Sequence, residues 1–197
     1  MKKWLFLGLI AAAAWWLWLS PEPPAEWAGR PVSEPPRQTV SELPKPWTRD
    51  GVKFEPLARF AVRGVVLSRE RYHFDPEAGL APVDLALGWG PMSEAAVINA
   101  LHISQDHRWY EYGWRKAPPI PEEEIARSSA NMHLIPADPT VCAAVFAVRR
   151  HELVQFEGYL VQVTRPGWHW RSSLSREDSG GHSCEVVWVE HLERRNP

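Results

Sequence analysis

Several features typical of nucleic-acid and nucleotide binders are missing from this sequence. The formal net charge of the 197 residues is −2. Residues 48–197 carry 17 basic and 20 acidic groups, a net charge of −3, so they lack the basic surface expected of a nucleic-acid-binding protein. No nucleotide-binding loop is present either. Gly88-Trp89-Gly90 precedes Pro91, which has no N–H with which to hold a phosphate.

Cysteine is scarce, with Cys142 and Cys184 the two instances. In an oxidising compartment such a pair is a candidate disulfide, which would close a loop of about forty residues and contribute a few kcal/mol to stability. The alternative is a pair of unbridged thiols, since Cys142 lies in an apolar segment at residues 141–145. Sequence spacing does not show whether the bridge is geometrically allowed, so both interpretations stay open.

Motifs for catalysis and metal binding are equally sparse. There are eight histidines but no H-E-x-x-H, and no serine lies in a G-x-S-x-G elbow. His182 lies two residues before Cys184, and a thiol nucleophile needs such a base beside it. A zinc site from His133, His182 and Cys184 would have no ligand pair at a diagnostic spacing. We predict no cofactor or metal, and keep an envelope hydrolase or thiol enzyme using these three residues as the alternative function.

Among the features that are present, the first is an uncharged apolar run over residues 4–19, preceded by Lys2 and Lys3. As a helix it would be about 24 Å long, slightly short of a bilayer core of roughly 30 Å. Trp15, Trp16 and Trp18 end it, as suits an outer interface. We predict a signal-anchor at residues 1–20 in the cytoplasmic membrane, single-pass, with the body in the periplasm. A cleaved signal peptide is the alternative.

The residues after this run divide into a spacer and one domain. Residues 21–47 contain eight prolines among Glu, Arg and Ser, a composition that favours an extended linker of at most about 80–90 Å. Residues 48–197 are long enough for a single extracytoplasmic globular domain.

Within that domain, local patterns predict short strands and a few helices. The predicted strands are 59–67, 107–114, 132–135, 153–164, 168–174 and 184–192. A turn or short helix is predicted at 82–87, a helix at 94–101 capped by Ser93, a second short helix after Pro121, and a third from Pro139 to about Arg150. Gly158 inside a long strand indicates a bulge or tight bend. The last three strands are predicted to form a meander. The element order predicts an α+β fold, a small, partly open β-barrel of OB-like or SH3-like type with short helical insertions.

Tryptophan is abundant, with 12 in the chain and eight beyond the apolar run. Arginines interleave with the aromatic residues, and such surfaces suit the recognition of an envelope protein, a peptide or a glycan. The alternative is that the tryptophans are core residues. The predicted binding residues are Trp109, His133, Trp170, Arg171, Ser173, Arg176 and Asp178. We therefore predict a membrane-tethered binding or assembly module rather than an enzyme.

Three segments, W-G-P-M-S from Trp89, S-A-N-M-H-L-I-P from Ser129 and W-R-S-S-L-S-R from Trp170, resemble segments of a set of uncharacterised bacterial proteins. The resemblance covers about residues 59–192 in order and spacing. It implies a bacterial envelope protein and brings no catalytic residue with it.

Overall fold

A computed structural model describes residues 31–175 and 183–195. The predicted anchor at residues 1–20 lies outside this part of the chain, and no helix within it is long and apolar enough to cross a bilayer. The strands are β1 (Arg37–Thr39), β2 (Trp47–Arg49), β3 (Val52–Arg71), β4 (Val83–Gly88), β5 (His102–Asp106), β6 (Trp109–Gly113), β7 (Ser129–Pro136), β8 (Leu153–Arg165), β9 (Trp168–Arg171) and β10 (Glu185–Arg195). A 3₁₀ helix (Gly90–Ser93) precedes α1 (Ala95–Ala100), α2 (Glu122–Arg127) and α3 (Pro139–Ala147).

Five of these strands form a closed ring of hydrogen-bonded pairs in the order β3-β4-β7-β10-β8, because β3 pairs with both β4 and β8. The first part of β3 is antiparallel to β8 and its last part is antiparallel to β4. The pair β7–β10 is parallel. Strands β1 and β2 add to β3, and β9 adds to β8. Strands β5 and β6 form a separate hairpin.

The long strand β3 is explained by its hydrophobic pattern. Every second residue from Val52 to Val62 is buried, which is the period of a strand. The covered side changes at the irregularity between Pro56 and Ala58, because Phe54 packs in the smaller hydrophobic cluster and Phe60 in the larger one. The pattern then changes to the continuously buried run Val65–Leu67, where both faces are covered. One strand of 20 residues can therefore pair with two neighbours in the ring, β8 and β4.

Two hydrophobic clusters lie on opposite faces of the ring. Consecutive residues of β8 alternate between them: Leu160 packs in the larger cluster, while Tyr159 and Val161 pack in the smaller one. Strand β7 does the same with Leu134 and Ile135. We call the face that carries the smaller cluster the outer face. The functional site described below lies on that face.

The folded domain begins earlier than residue 48, so the described part of the predicted linker 21–47 belongs to it. Val32 is buried in the larger cluster, and its backbone N–H donates to the Ser93 hydroxyl at 2.8 Å. Strand β1 pairs with β3, and Trp47 stacks on Phe54 with ring centroids 5.7 Å apart. Prolines in this stretch do not prevent short edge strands, which use only part of the backbone hydrogen-bonding capacity.

Strands dominate and the helices are short, which confirms the α+β prediction at that level. Most of the predicted strands and helices are present, but β1, β2 and β5 were not predicted, and residues 107–108 form a hairpin turn rather than the start of a strand. Three further predictions need correction. Residues 83–88 form the central strand β4 rather than a turn or helix, because both of its faces are buried and the alternation that marks a strand is lost. Ser93 does not cap α1: its hydroxyl donates to the Gly90 carbonyl. Strands β8, β9 and β10 are not a meander, since β8 lies between the other two.

Candidate functional site

Arg108 joins the tip of the β5–β6 hairpin to the main sheet. Its Nη1 donates to Asp84 Oδ1 at 2.7 Å and to the Ala81 carbonyl at 2.8 Å, and its Nη2 donates to Asp75 Oδ1 at 2.7 Å. The guanidinium carbon lies 3.7 Å from the centroid of the Tyr72 ring. The Tyr72 hydroxyl also accepts from the Arg108 backbone N–H at 2.9 Å. The hairpin tip is thereby attached to the loop at residues 72–82.

The carboxylate of Asp84 also holds an imidazole. Its Oδ2 lies 2.8 Å from Nδ1 of His133, and the two side chains are 0% and 3% exposed. This hydrogen bond fixes the orientation of the His133 ring. The His133 ring packs against Trp170 with centroids 4.6 Å apart. We call Tyr72, Asp75, Asp84, Arg108, His133 and Trp170 the Arg108 cluster.

Strand register and turn geometry explain how the sequence assembles this cluster. Asp84 and His133 are direct partners in the β4–β7 pair, so their side chains leave the sheet on the same face. His107 and Arg108 are the two central residues of the hairpin, with φ of 49° and 69°. A two-residue hairpin of this type requires positive φ at both positions, which usually favours glycine or asparagine. Here the contacts of Arg108 hold a strained backbone conformation in place.

The electrostatics of the cluster favour a charged Asp75 and a neutral Tyr72 phenol. Burial raises the pKa of Asp75, but the hydrogen bond from Arg108 and its charge outweigh this effect and hold that pKa below its usual range. Burial, together with the charge of Asp84, raises the pKa of Tyr72 well above that of a free phenol. A buried carboxylate such as Asp84 is tolerated because both of its oxygens are bonded.

A polar extension leads from the cluster to Cys184. Asn131 Nδ2 donates to the Arg108 carbonyl at 2.9 Å, and Asn131 Oδ1 accepts from Gln105 Nε2 at 2.7 Å. The same Nδ2 lies 3.7 Å from Cys184 Sγ. Asn131 and His133 are two residues apart on β7, so their side chains lie on the same face of the sheet. Cys184 contacts Asn131, and its thiol therefore lies on the same face as the His133 imidazole. Chemically, this arrangement places a thiol and an aspartate-oriented imidazole on one surface.

The structure brings the predicted binding residues together only in part. Trp170 and His133 are in contact, and Trp109 follows Arg108 with its side chain 47% exposed. Arg171 is exposed and donates to Gln162 Oε1 at 2.8 Å. Ser173 is buried, so its hydroxyl is not presented to solvent. Arg176, Asp178 and His182 lie outside the described residues.

The candidate disulfide is not formed. Neither Cys142 nor Cys184 is bridged. Cys142 lies on α3, whose Val141 and Val145 pack into the larger cluster, whereas Cys184 contacts Asn131 on the outer face. Cys142 therefore lies on a helix that packs on the larger cluster, whereas Cys184 lies on the outer face.

Metal ligands do not cluster in the part of the chain that the structure describes. No group of three or more His, Cys, Asp or Glu side chains there is arranged to hold an ion.

Three turns meet beside the Arg108 cluster: the loop at residues 72–82, the hairpin tip and the β8–β9 turn. Arg165 links two of them, since its Nη2 donates to the Pro76 carbonyl at 3.3 Å while its guanidinium carbon lies 4.4 Å from the Trp168 ring centroid. Phe74 in the first turn is 100% exposed. We call this region, with Phe74, Trp109 and Trp168, the aromatic end.

Sequence reasoning did not identify Tyr72, Asp75 or Asp84 as site residues, and it treated Arg108 only as one of several arginines among aromatics. One signal was available for Asp84. It is the single charge in the apolar segment 81–88, and a charge that must be buried needs a partner. No local signal identified Asp75 or Tyr72, because their roles depend on a hairpin more than thirty residues away.

Comparisons with protein-family models, with curated proteins and with solved structures find no match to this chain.

Proposed function

We propose that this chain is a membrane-tethered, extracytoplasmic binding or assembly module of the bacterial envelope, without catalysis of its own. The observation that carries the proposal is the Arg108 cluster. It fastens the loop 72–82, the hairpin tip and β9 around the outer faces of β4 and β7. A surface whose loops are fixed in advance loses little entropy when a ligand binds.

We infer that the five-strand ring is the small OB-like barrel predicted from the sequence. Folds of that type bind ligands on the face of their second and third strands, between the loops that join strands one to two and four to five. In this ring the corresponding strands are β4 and β7, and the corresponding connections are the loop at residues 72–82 and the segment between β8 and β10 that contains β9. The Arg108 cluster lies at this position.

The groups at the rim of the cluster suit a peptide or a glycan. On β9, Trp168 and Trp170 are half-buried, while His169 and Arg171 are exposed. Aromatic faces pack against sugar rings or apolar side chains, and arginine donates several hydrogen bonds in a fixed plane. The net charge of −3 over residues 48–197 disfavours a nucleic acid in this role.

The experiment is affinity capture from cross-linked intact membranes, with the full-length chain. Arg171→Ala and His169→Ala remove exposed rim groups, and we expect each to reduce recovery of the partner. The matched control is Arg63→Ala, an exposed arginine on β3 away from this rim. Equal recovery with all variants, or a full-length chain found in the cytosol, would contradict the proposal.

A second candidate, a thiol enzyme, is favoured by one observation: Cys184 lies on the same face as an imidazole oriented by Asp84. Such a base raises the thiolate fraction of a neighbouring cysteine. Alkylation by iodoacetamide, in which the sulfur attacks carbon and iodide leaves, separates the two functions. Cys142 is the internal comparison, because both thiols are half-buried. Much faster alkylation of Cys184 at neutral pH would favour the enzyme, whereas equal rates favour the binding module.

A further inference from the structure

The aromatic end presents apolar rings that the described fold does not cover. Phe74 is fully exposed and Trp109 is 47% exposed. Phe74 lies in the loop 72–82, and Trp109 begins β6 directly after the hairpin tip; the ion pair between Arg108 and Asp75 at 2.7 Å joins the two. The half-buried Trp168 lies beside Arg165, whose link to Pro76 ties the third turn to the first. The loop 72–82, the hairpin tip and the β8–β9 turn are thus linked to one another, and each carries or adjoins an aromatic side chain.

Few residues separate the folded domain from the predicted anchor. Val32 is already buried in the domain, so residues 21–31 are all that separate it from the predicted anchor at residues 1–20. Eleven residues span at most about 40 Å even when fully extended. A domain of this size is itself roughly 40 Å across. If residues 1–20 cross the membrane, every part of the domain lies within reach of the bilayer surface.

The position of the aromatic end is compatible with that tether. Val32 bonds to Gly90 and Ser93, which follow the last residue of β4. The aromatic end lies beside the first residues of β4, where Ala81 and Asp84 hold Arg108. Six strand residues separate the two ends by about 20 Å. The available tether therefore allows the aromatic end to face the membrane.

We propose that the aromatic end rests on the outer leaflet of the bilayer that holds the anchor, with Phe74 and Trp109 at the boundary between headgroups and acyl chains. This inference rests on the proposed membrane tether. Phe74 has no polar atom to satisfy a polar ligand, and indole rings favour the membrane interface. The aromatic end carries groups of both signs, Asp106 beside His107 at the hairpin tip and Arg165 beside Trp168, so the contact needs no anionic lipid. The partner is the zwitterionic lipid interface itself.

The test uses the full-length chain in phosphatidylcholine vesicles whose acyl chains carry bromine, which quenches nearby tryptophans. Subtracting the emission of Trp109→Phe from that of the unaltered chain isolates the signal of Trp109. We expect this component to be quenched by the brominated lipid, and Phe74→Ala to weaken its quenching. Val40→Ala is the matched control, because Val40 is an exposed apolar residue just after β1. We expect it to leave the quenching unchanged.

Flotation of the same vesicles separates the two possible failures. A chain that does not float with the lipid contradicts the proposed tether. A chain that floats, but whose Trp109 signal is not quenched, overturns the lipid contact while leaving the tether in place.

Discussion

At the scale of single residues, the cluster shows how a charge can be buried without a large penalty. Arg108 is held by two carboxylates, a carbonyl and an aromatic face, and Asp84 has a donor on each oxygen. Removing one member of such a set costs more than the lost attraction, because the remaining charge stays buried without its partner.

Arg108→Ala should lower the free energy of unfolding by about 3–5 kcal/mol, since it leaves Asp84 buried with one donor instead of two. Urea denaturation followed by circular dichroism measures the effect. Arg115→Ala is the matched control, because Arg115 is exposed and should give less than about 0.5 kcal/mol. Similar values for both variants would mean that the cluster does not stabilise the fold.

The pair of Glu152 and Arg194 makes the stability depend on pH. Arg194 donates to the two carboxylate oxygens of Glu152 at 2.9 and 2.6 Å. Burial raises the pKa of Glu152, but the hydrogen bonds and charge of Arg194 hold it below the usual value. The unfolded chain therefore takes up the proton first as pH falls. The stabilisation that this pair contributes is complete above the ordinary glutamate pKa. It is lost as the pH falls through the lower pKa that Glu152 has in the folded chain.

We expect Glu152→Gln to have a flatter stability profile than the unaltered chain in this acidic range. Unfolding midpoints in urea at a series of pH values check the difference. Glu157→Gln serves as the control, since Glu157 is exposed on the same strand. Parallel profiles for the chain and Glu152→Gln would show that another carboxylate governs the acid transition.

At the scale of elements, the ring depends on an irregularity opposite one glycine. Residues of β10 shift register between Val189 and His191, which face Gly158 and Glu157 of β8. A Cβ on Gly158 would collide with the carbonyl oxygen of Trp188. Only glycine allows the two backbones to approach this closely, and the bulge bends the strand so that the sheet can close.

Gly158→Ala should therefore destabilise the protein by about 3 kcal/mol, the upper part of the range for overpacking. Thermal unfolding provides the measurement. Gly113→Ala at the end of β6 is the matched control, because nothing lies within 4 Å of the position its Cβ would occupy. An unchanged melting temperature for Gly158→Ala would show that β8 and β10 can separate locally without loss of the fold.

At the scale of the whole molecule, and in the proposed membrane-tethered arrangement, the start of the fold sets the greatest distance between the domain and the bilayer. Val32 and strand β1 belong to the domain, so a spacer predicted at 80–90 Å becomes a tether of at most about 40 Å. A binding module on such a tether meets partners at or near the bilayer at a high effective concentration.

Val32→Ala should cost about 2 kcal/mol, the transfer free energy of the buried methyl groups together with the cavity they leave. Val40→Ala is the control, because Val40 is 68% exposed and should be neutral. Chemical denaturation compares them. An unchanged free energy of unfolding for Val32→Ala would mean that the segment before β1 does not stabilise the domain. The linker would then be longer, as the sequence predicts.

The parts of this protein that sequence reasoning predicted are local. The helix after Asp138 was found because Asp138 accepts from the N–H groups of Thr140 and Val141, a cap visible within four residues. The irregularity at Gly158 was found because a glycine in the interior of a strand usually marks a bulge or a close approach of two backbones. Strand β4 was missed because it is buried on both faces, which removes the alternating signal.

The sequence by itself determined these short-range elements, together with the composition that disfavours nucleic acids and nucleotides. The tertiary structure alone decided that Arg108 meets Asp84, 24 residues away, and that Asp84 meets His133 across 49 residues. The physical reason is that propensities and caps act over a few residues, whereas these contacts depend on strand register and on which strands become neighbours. The early start of the domain at Val32 was likewise decided by packing against residues about sixty positions later.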